Sequence, residues 1–537
     1  MTQVLTDASI EHSATIVEFP GGDHRVDPKR VARLARRVVA GPDAEQSVSI
    51  CPMTGQPLAT LPVSTPEDVT VAMSAARAAQ RGWAALPVQR RAAVLLRFHD
   101  LVLEHESELM DLIQLEAGKA RRHAFEEIAD CAIVARHYGR RASAYLSDTR
   151  HLGALPVLTQ TVEAHHPKGV VGIISPWNYP LSLAITDALP ALVAGNAVVL
   201  RPDQKCRVTA LAGMELLVEA GLPQDVVQIV LGPGGTTGQA VVEQADYVCF
   251  TGSTPTGRRI AETAARRLIG YSLELGGKNT MYIADDAHLD RAVEGAVRGC
   301  FSSAGQLCIS AERLVVHERI HDAFVGRFIQ AVEAMRIGTE LRWGIDMGSL
   351  VGQEQLELVS AHVEDARAKG ATVLTGGRAR PDLGPFCYEP TVLEGVTPQM
   401  RCRDEETFGP VVSIYPVASD DEAVAIANDT DYGLNASVWT RDGRRGRELA
   451  RRIHSGTVNV NEAYAAAWGS VGAPMGGMKD SGVGRRHGRE GILKYTESQN
   501  IAVQRITGFG GLPGMSDQRF AALLNTSLKV MKMVRLP

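Results

Sequence analysis

Between residues 169 and 268, short apolar runs alternate with segments whose apolar residues recur every three or four positions. An apolar run bounded by glycine or proline predicts a buried strand, and the three-to-four recurrence predicts an amphipathic helix. The pattern gives strands at 169–174, 197–200, 226–230 and 247–250, interleaved with helices at 184–194, 208–220, 239–244 and 256–268. Strand, helix, strand in steady alternation predicts a doubly wound parallel sheet. Upstream, 66–147 has helical spacing broken at Pro87, so at least two helices are expected there. Downstream, strands at 281–283 and 313–316 and helices at 289–301 and 320–335 predict a second α/β domain.

Composition bounds the partners. The 537 residues call for two or three cores, and 45% hydrophobic with 22% charged residues is the balance of a globular chain. Lys+Arg 56 against Asp+Glu 61 gives a net charge of −5, which supplies no large basic surface for nucleic acid. The eight cysteines include no CxxC pair, which suits a reducing compartment. Asp7 and Glu11 interrupt the N-terminus where a secretory signal needs an apolar core, and no run is long enough for a membrane span. A cytoplasmic protein is expected.

Three places carry candidate chemistry. The turn Thr251-Gly252-Ser253-Thr254-Pro255-Thr256-Gly257 joins a strand to a helix, where backbone N–H groups and the helix dipole favour a phosphate. Its spacing suits a nucleotide loop, but Arg258-Arg259 stands where triphosphate hydrolysis needs Lys-Ser/Thr. Cys308 lies in the polar, small-residue segment Ser303-Ala304-Gly305-Gln306-Leu307. Most lone cysteines are inert core residues; a thiol in such a loop could instead be held as thiolate and act as a nucleophile. Glu274 sits in the apolar run before Leu275-Gly276-Gly277-Lys278, where burial would raise its pKa towards that of a general base; an exposed strand end is the alternative. A fourth motif, His317-Glu318-Arg319-Ile320-His321, matches the zinc-hydrolase pattern HExxH. His317 follows a strand and the helical stripe begins only at Ile320, so the two histidines should diverge, and no metal site is expected.

Together these motifs resemble the aldehyde dehydrogenase superfamily over residues 50–505. The resemblance rests on Pro176-Trp177-Asn178-Tyr179-Pro180, Phe250-Thr251-Gly252-Ser253, Glu274-Leu275-Gly276-Gly277-Lys278, Gly305-Gln306-Leu307-Cys308, Glu405-Glu406-Thr407-Phe408-Gly409-Pro410 and Pro474-Met475-Gly476-Gly477. Within the superfamily the chain is similar to enzymes assigned as bacterial succinate-semialdehyde dehydrogenases. The resemblance implies a Rossmann-type dinucleotide-binding domain, an α/β catalytic domain and a β oligomerisation arm. It implies Cys308 as nucleophile, Glu274 as general base and Asn178 as an oxyanion donor. NADP or NAD would be held by Ser175, Trp177, Arg201, Gln204, Thr251, Gly252, Ser253, Gly257, Leu275, Glu406 and Phe408. The substrate would be a small aldehyde and the assembly a homodimer or homotetramer.

The implied divisions are an N-terminal extension at 1–44, whose basic amphipathic stretch reads as a solvated helix face. The dinucleotide-binding domain takes 45–150 and 168–273, the catalytic domain 274–473, and the arm 151–167 and 490–505. An amphipathic tail occupies 506–537, with Leu524, Leu528 and Met531 on one helical face, expected to dock on the enzyme itself. Three departures from the family pattern stand out. Gln204 replaces the acid that would hold the ribose hydroxyls and repel a 2′-phosphate, with Arg201 nearby, which tilts the expectation towards NADP. Thr186 and Ser302 stand where several semialdehyde-oxidising relatives present arginines to the substrate carboxylate, so that carboxylate needs another donor, or the substrate is another aldehyde. Arg485-Arg486 replaces the frequent Arg-Glu.

Overall fold

The computed structural model describes residues 24–154, 159–505 and 514–535. Its first core is built on parallel strands β1 (Val170–Ser175), β2 (Ala197–Pro202), β3 (Val227–Ile229), β4 (Tyr247–Thr251) and β5 (Gly270–Glu274). Their order across the sheet is 5-4-1-2-3, and the short strand Gly482–Val483 adds antiparallel to the β5 edge. Every residue of β1 and β2 is buried. Helices on both faces require that, and it explains why these strands read as unbroken apolar runs. The strand order reverses between β1 and β4, which opens a crevice beyond their carboxyl ends.

Four helices occupy the stretch in which at least two were expected: Pro66–Ala84, Val88–Glu104, Glu106–Ala117 and Arg121–Tyr145. A capping box between Thr65 and Asp68 starts the first, and Pro87 caps the second. The break at His105 is a single non-helical residue, too short to disturb the apolar recurrence. The helix expected at 184–194 is two, Ser182–Ile185 and Ala188–Val193. Pro190 has no N–H to give the Thr186 carbonyl, so the ladder parts at Thr186 and Asp187.

The second core has β6 (Asn279–Ile283), β7 (Ala311–His317), β8 (Thr372–Thr375), β9 (Thr391–Glu394), β10 (Val411–Val417), β11 (Asn435–Trp439) and β12 (Thr457–Val460). The order is 8-9-10-7-6-11-12, all parallel except β8. A third sheet pairs Thr159–Pro167 with Thr496–Gln504 on one side and Thr149–Leu152 on the other. Ile501 lies opposite Val162 and Val503 opposite Gln160. Residues 155–158 of the expected arm lie outside the described residues.

Both termini differ from expectation. The helix Pro28–Ala35 is not merely a solvated face: Leu34 is fully buried, and Arg30 pairs with Glu215 and, at 2.8 Å, with Glu108. Val39 N–H then donates to Ile229 O at 2.9 Å, so one apolar side chain and one arginine fix the segment to β3 and its flanking helix. Residues 1–23 lie outside the described residues. The tail forms a helix, Asp517–Met533, but buries none of its residues, with Leu528 55% exposed. Docking of this helix on its own chain is therefore not observed. It follows a strand whose last eight residues are all exposed, so the chain has left the core before the helix begins. Among the described residues no helix is long and apolar enough to cross a membrane.

Candidate active site

Cys308 is half-buried at the end of a tightly folded loop that follows the helix Leu289–Phe301. Ser303, Ala304 and Gly305 take left-handed φ values of 52°, 56° and 71° in succession. A Cβ at Gly305 would stand 2.0 Å from Gly409 O, so only glycine admits the strand-side loop there. Gln306 locks the turn, donating from Nε2 to Ser303 O and accepting at Oε1 from Val351 N–H at 2.9 Å. Asn279, the first residue of β6, donates from Nδ2 to Cys308 O at 2.7 Å and Ser310 O at 2.8 Å. The small polar residues that marked this segment as a loop thus serve to aim one thiol.

That thiol lines a narrow cavity with Asn178, Leu183, Tyr464, Trp468 and Arg486. Burial pushes it up to about 12, Glu406 and Glu274 add to the rise, and Arg486 opposes it. The expected thiolate is thus not the resting form of the free chain, because desolvation outweighs the local dipoles. Asn178 follows β1 and donates from Nδ2 to Gln306 O at 3.0 Å, which places its amide beside the cysteine loop. Its segment is held from below: Glu127, buried and paired with Lys119 at 2.8 Å, accepts from Leu181 and Ser182 N–H at 2.8 and 3.0 Å.

Glu274 closes β5, opposite Thr251 on one side and Gly482 on the other. It is 5% exposed, and its Oε1 has no hydrogen-bond partner. Burial raises it to about 7, although Arg486 and then Lys494 pull the other way. Of the two alternatives left by the sequence, the exposed strand end is excluded. A carboxyl with this pKa can take a proton from water near neutral pH.

The crevice beyond β1 and β4 collects the residues tied by resemblance to the cofactor. Ser175, at the end of β1, has a buried hydroxyl without a partner. Ser253 stands at the N-cap of the helix Thr254–Arg267 without a side-chain cap bond, leaving first-turn N–H groups for an anion. Gly252 N–H donates to Glu274 O at 3.0 Å, and a Cβ at Gly257 would meet Leu275 Cδ2 at 2.6 Å, so glycine lets the helix start lie against Leu275. Trp177 and Phe408 meet edge to face across the cleft at 5.5 Å. Phe408 has a φ of 50°, a strained value for that residue type. It is imposed by Glu312, which pairs with buried Lys278 and accepts from Thr407 N–H at 3.0 Å and Phe408 N–H at 2.9 Å. Glu406 accepts from Gly277 N–H at 2.8 Å; burial, then Glu312, lifts it to about 8. An orphan hydroxyl, an open helix start and an aromatic pair fit a dinucleotide with its phosphates at Ser253 and its ring near Phe408.

One sequence expectation needs adjustment here. Arg201 is committed elsewhere: its Nε and Nη2 donate to Gly232 O, at 3.0 and 2.6 Å. It braces the β3 loop, so any preference at the adenosine end falls to Gln204, which is half-buried beyond β2. The HExxH histidines do diverge, since His317 ends β7 and His321 opens the helix His321–Glu333 after an intervening 3₁₀ turn. His321 Nε2 lies 3.4 Å from Glu394. Among the described residues no cluster of three His, Cys, Asp or Glu could hold a metal. Sequence reasoning missed Asn279, Glu127, Lys119, Glu312 and Lys278. Glu312, an acid in the strand β7 whose apolar run follows it, carried a signal; Lys119 and Lys278 lie in loops, and Glu127 in a charged stretch of helix, where none was available.

The aldehyde dehydrogenase family profile matches residues 39–501, and the chain belongs to that family. It is 55% identical over 475 residues to a Mycolicibacterium smegmatis protein, covering 88% of this chain and 92% of that one. That relative bears the name "putative succinate-semialdehyde dehydrogenase (NADP+)". A Mycobacterium tuberculosis protein of similar name is 57% identical over 453 residues, 84% of this chain and 88% of that one. Among solved structures, the PnpE complex with nicotinamide adenine dinucleotide superposes with a TM-score of 0.83 at 34% identity, covering 86% and 95% of the two chains. The chain is thus an NAD(P)-dependent aldehyde dehydrogenase of α/β architecture.

Proposed function

We propose that this enzyme oxidises succinate semialdehyde to succinate, with NADP preferred over NAD. The observation that carries the chemistry is the convergence of the Cys308 thiol, the Asn178 amide and a partnerless Glu274 with a pKa of about 7 at the mouth of the dinucleotide crevice. Cys308 gives up its proton to solvent water and adds to the aldehyde carbon, and the new oxyanion is met by Asn178 Nδ2 and the Cys308 N–H. A nicotinamide held at this site would supply the hydride acceptor. Glu274 then takes a proton from water as that water attacks the thioester, the C–S bond breaks to release the carboxylic acid, and the proton on Glu274 passes to the departing Cys308 sulfur to restore the thiol. Phe408 and Trp177 border the ring site, Glu406 the ribose, and Thr251, Gly252, Ser253, Gly257 and Leu275 the pyrophosphate. NADP rests on the neutral Gln204 and on the names of the relatives.

The arm strands Thr159–Pro167 and Thr496–Gln504 leave Ile501 and Val503 43% and 51% exposed, which supports pairing between copies in a dimer or tetramer. Eight free cysteines, seven of them buried, suit the cytoplasm. The extension, two α/β domains, arm and tail follow the divisions given above. A panel of aldehydes with a distal carboxylate, with no charge or with a cation, each assayed against NADP and NAD, tests the reading. The highest kcat/KM is expected for succinate semialdehyde with NADP; a preference for an uncharged or cationic aldehyde would refute it.

A further inference from the structure

The two arginine positions used by semialdehyde-oxidising relatives are occupied here by Thr186 and Ser302, and neither can hold a carboxylate by charge. Ser302 is enclosed, with its hydroxyl taking a hydrogen bond from Tyr464 at 2.9 Å. Thr186 is different. Its small side chain leaves room for Arg486, whose Nη2 donates to Thr186 Oγ1 at 2.8 Å. Arg486 comes from the segment after Met475 in sequence, and its guanidinium meets Thr186 at the wall of the Cys308 cavity.

Three features make this guanidinium available to a ligand. First, it lines the same cavity as Cys308, Asn178 and Leu183. Second, its contacts with protein acceptors all use Nη2, to Thr186 Oγ1 and, at 3.2 Å, to Asp187 Oδ2. Among the described residues Nε and Nη1 have no hydrogen-bond acceptor, and they are not sealed away, since 10% of the side chain remains accessible. Third, Lys494 Nζ also lies 3.7 Å from Asp187, so that carboxylate is shared between two buried cations, while Glu274 and Asp130 act on the guanidinium without an ion-pair contact. A desolvated cation binds an anion more strongly than the same group would in water.

We propose that Arg486 is the substrate-carboxylate anchor of this enzyme, taking over through guanidinium N–H groups that have no acceptor the role that relatives give to an arginine at 186. The assignment rests on the reading of the substrate as a semialdehyde. Asp187 and Thr186 are its positioning residues: they fix Nη2 and leave Nη1 to donate to the carboxylate. The aldehyde carbon lies towards Cys308 and the acid group towards Thr186, which suits a short chain with its two functional groups at opposite ends.

The test compares succinate semialdehyde with butanal, which has the same carbon chain and no carboxylate, in the full-length wild type, Arg486→Gln and Arg486→Lys. The readout is the ratio of kcat/KM values for the two aldehydes, with KM and kcat resolved. Arg486→Gln should collapse the ratio by at least ~100-fold, mostly through KM for the semialdehyde, because the acid group loses a charged donor. Arg486→Lys keeps the charge beside Asp187 but loses the planar group that can hold Thr186 and Asp187 with one nitrogen and the ligand with another, and should fall between, with a loss of roughly 10-fold. If the glutamine variant does not fold, the lysine variant carries the test alone. A wild type that prefers the semialdehyde while both variants keep its ratio within about 3-fold overturns the anchor and leaves the substrate reading standing. A wild type without such a preference overturns the substrate reading and the anchor with it.

Discussion

Asn279 holds Cys308 by its main chain: its Nδ2 donates to the Cys308 carbonyl at 2.7 Å while its Oδ1 accepts from Asn435 N–H at 3.0 Å. One amide at the start of β6 therefore ties the Cys308 loop to β11, and the direction of the thiol depends on a side chain outside that loop. Asn279→Ala leaves two carbonyls and one N–H without these partners. Expected are a loss of roughly 1–3 kcal/mol in stability by denaturant titration and a fall of about 10–100-fold in kcat. Unchanged kcat in a folded variant would show that the loop holds its geometry without Asn279.

Glu274 must be ionised to take a proton from water, and its carboxyl is held up to about 7. Turnover limited by thioester hydrolysis should therefore rise with pH through the neutral range and level off above it, since raising the pH populates the base form. Glu274→Gln should lose that rising limb together with steady-state turnover while keeping a stoichiometric burst of reduced cofactor. A limb that persists in this variant would belong to another group.

The Lys278–Glu312 pair is buried, with side chains 2% and 5% exposed. Glu312→Ala strands the lysine charge and frees the N–H groups of Thr407 and Phe408. A destabilisation of about 3–5 kcal/mol is expected. Because Phe408 is held at a positive φ by those bonds, KM for the dinucleotide should rise as well. Chemical denaturation and cofactor titration measure the two effects separately.

Gln204→Glu should move preference from NADP towards NAD, because a carboxylate repels the 2′-phosphate and accepts from a 2′-hydroxyl. Arg201 should matter less to this choice than its proximity in sequence implies, being bonded to Gly232 O. The ratio of kcat/KM for the two dinucleotides in Gln204→Glu and in the wild type reads the shift.

The alternation that built the first domain was legible in the sequence because strands buried on both faces must be apolar throughout, as in β1 and β2. Cys308 was visible as a thiol in a loop, and Glu274 as an acid in an apolar run. The environment of neither was visible. Whether Glu274 is buried depends on Gly482–Val483 closing over β5, some two hundred residues later in the chain. Arg486 could be seen only as an anomaly, because its partner Thr186 lies 300 residues away in sequence and meets it only in the folded chain. The tail helix was foreseen from its periodicity, but its surroundings were not, since periodicity reports a face and not what covers it.

In the proposed mechanism Cys308 carries the acyl group and Glu274 releases it. Mixing Glu274→Gln with succinate semialdehyde and NADP, stopping the reaction in acid and mapping the modified peptide by mass spectrometry reads both roles at once. One equivalent of succinyl thioester is expected on Cys308, formed in step with one equivalent of reduced cofactor and absent from Cys308→Ala. An acyl group on Cys300 or any other residue, or a burst of reduced cofactor that survives in Cys308→Ala, would contradict it.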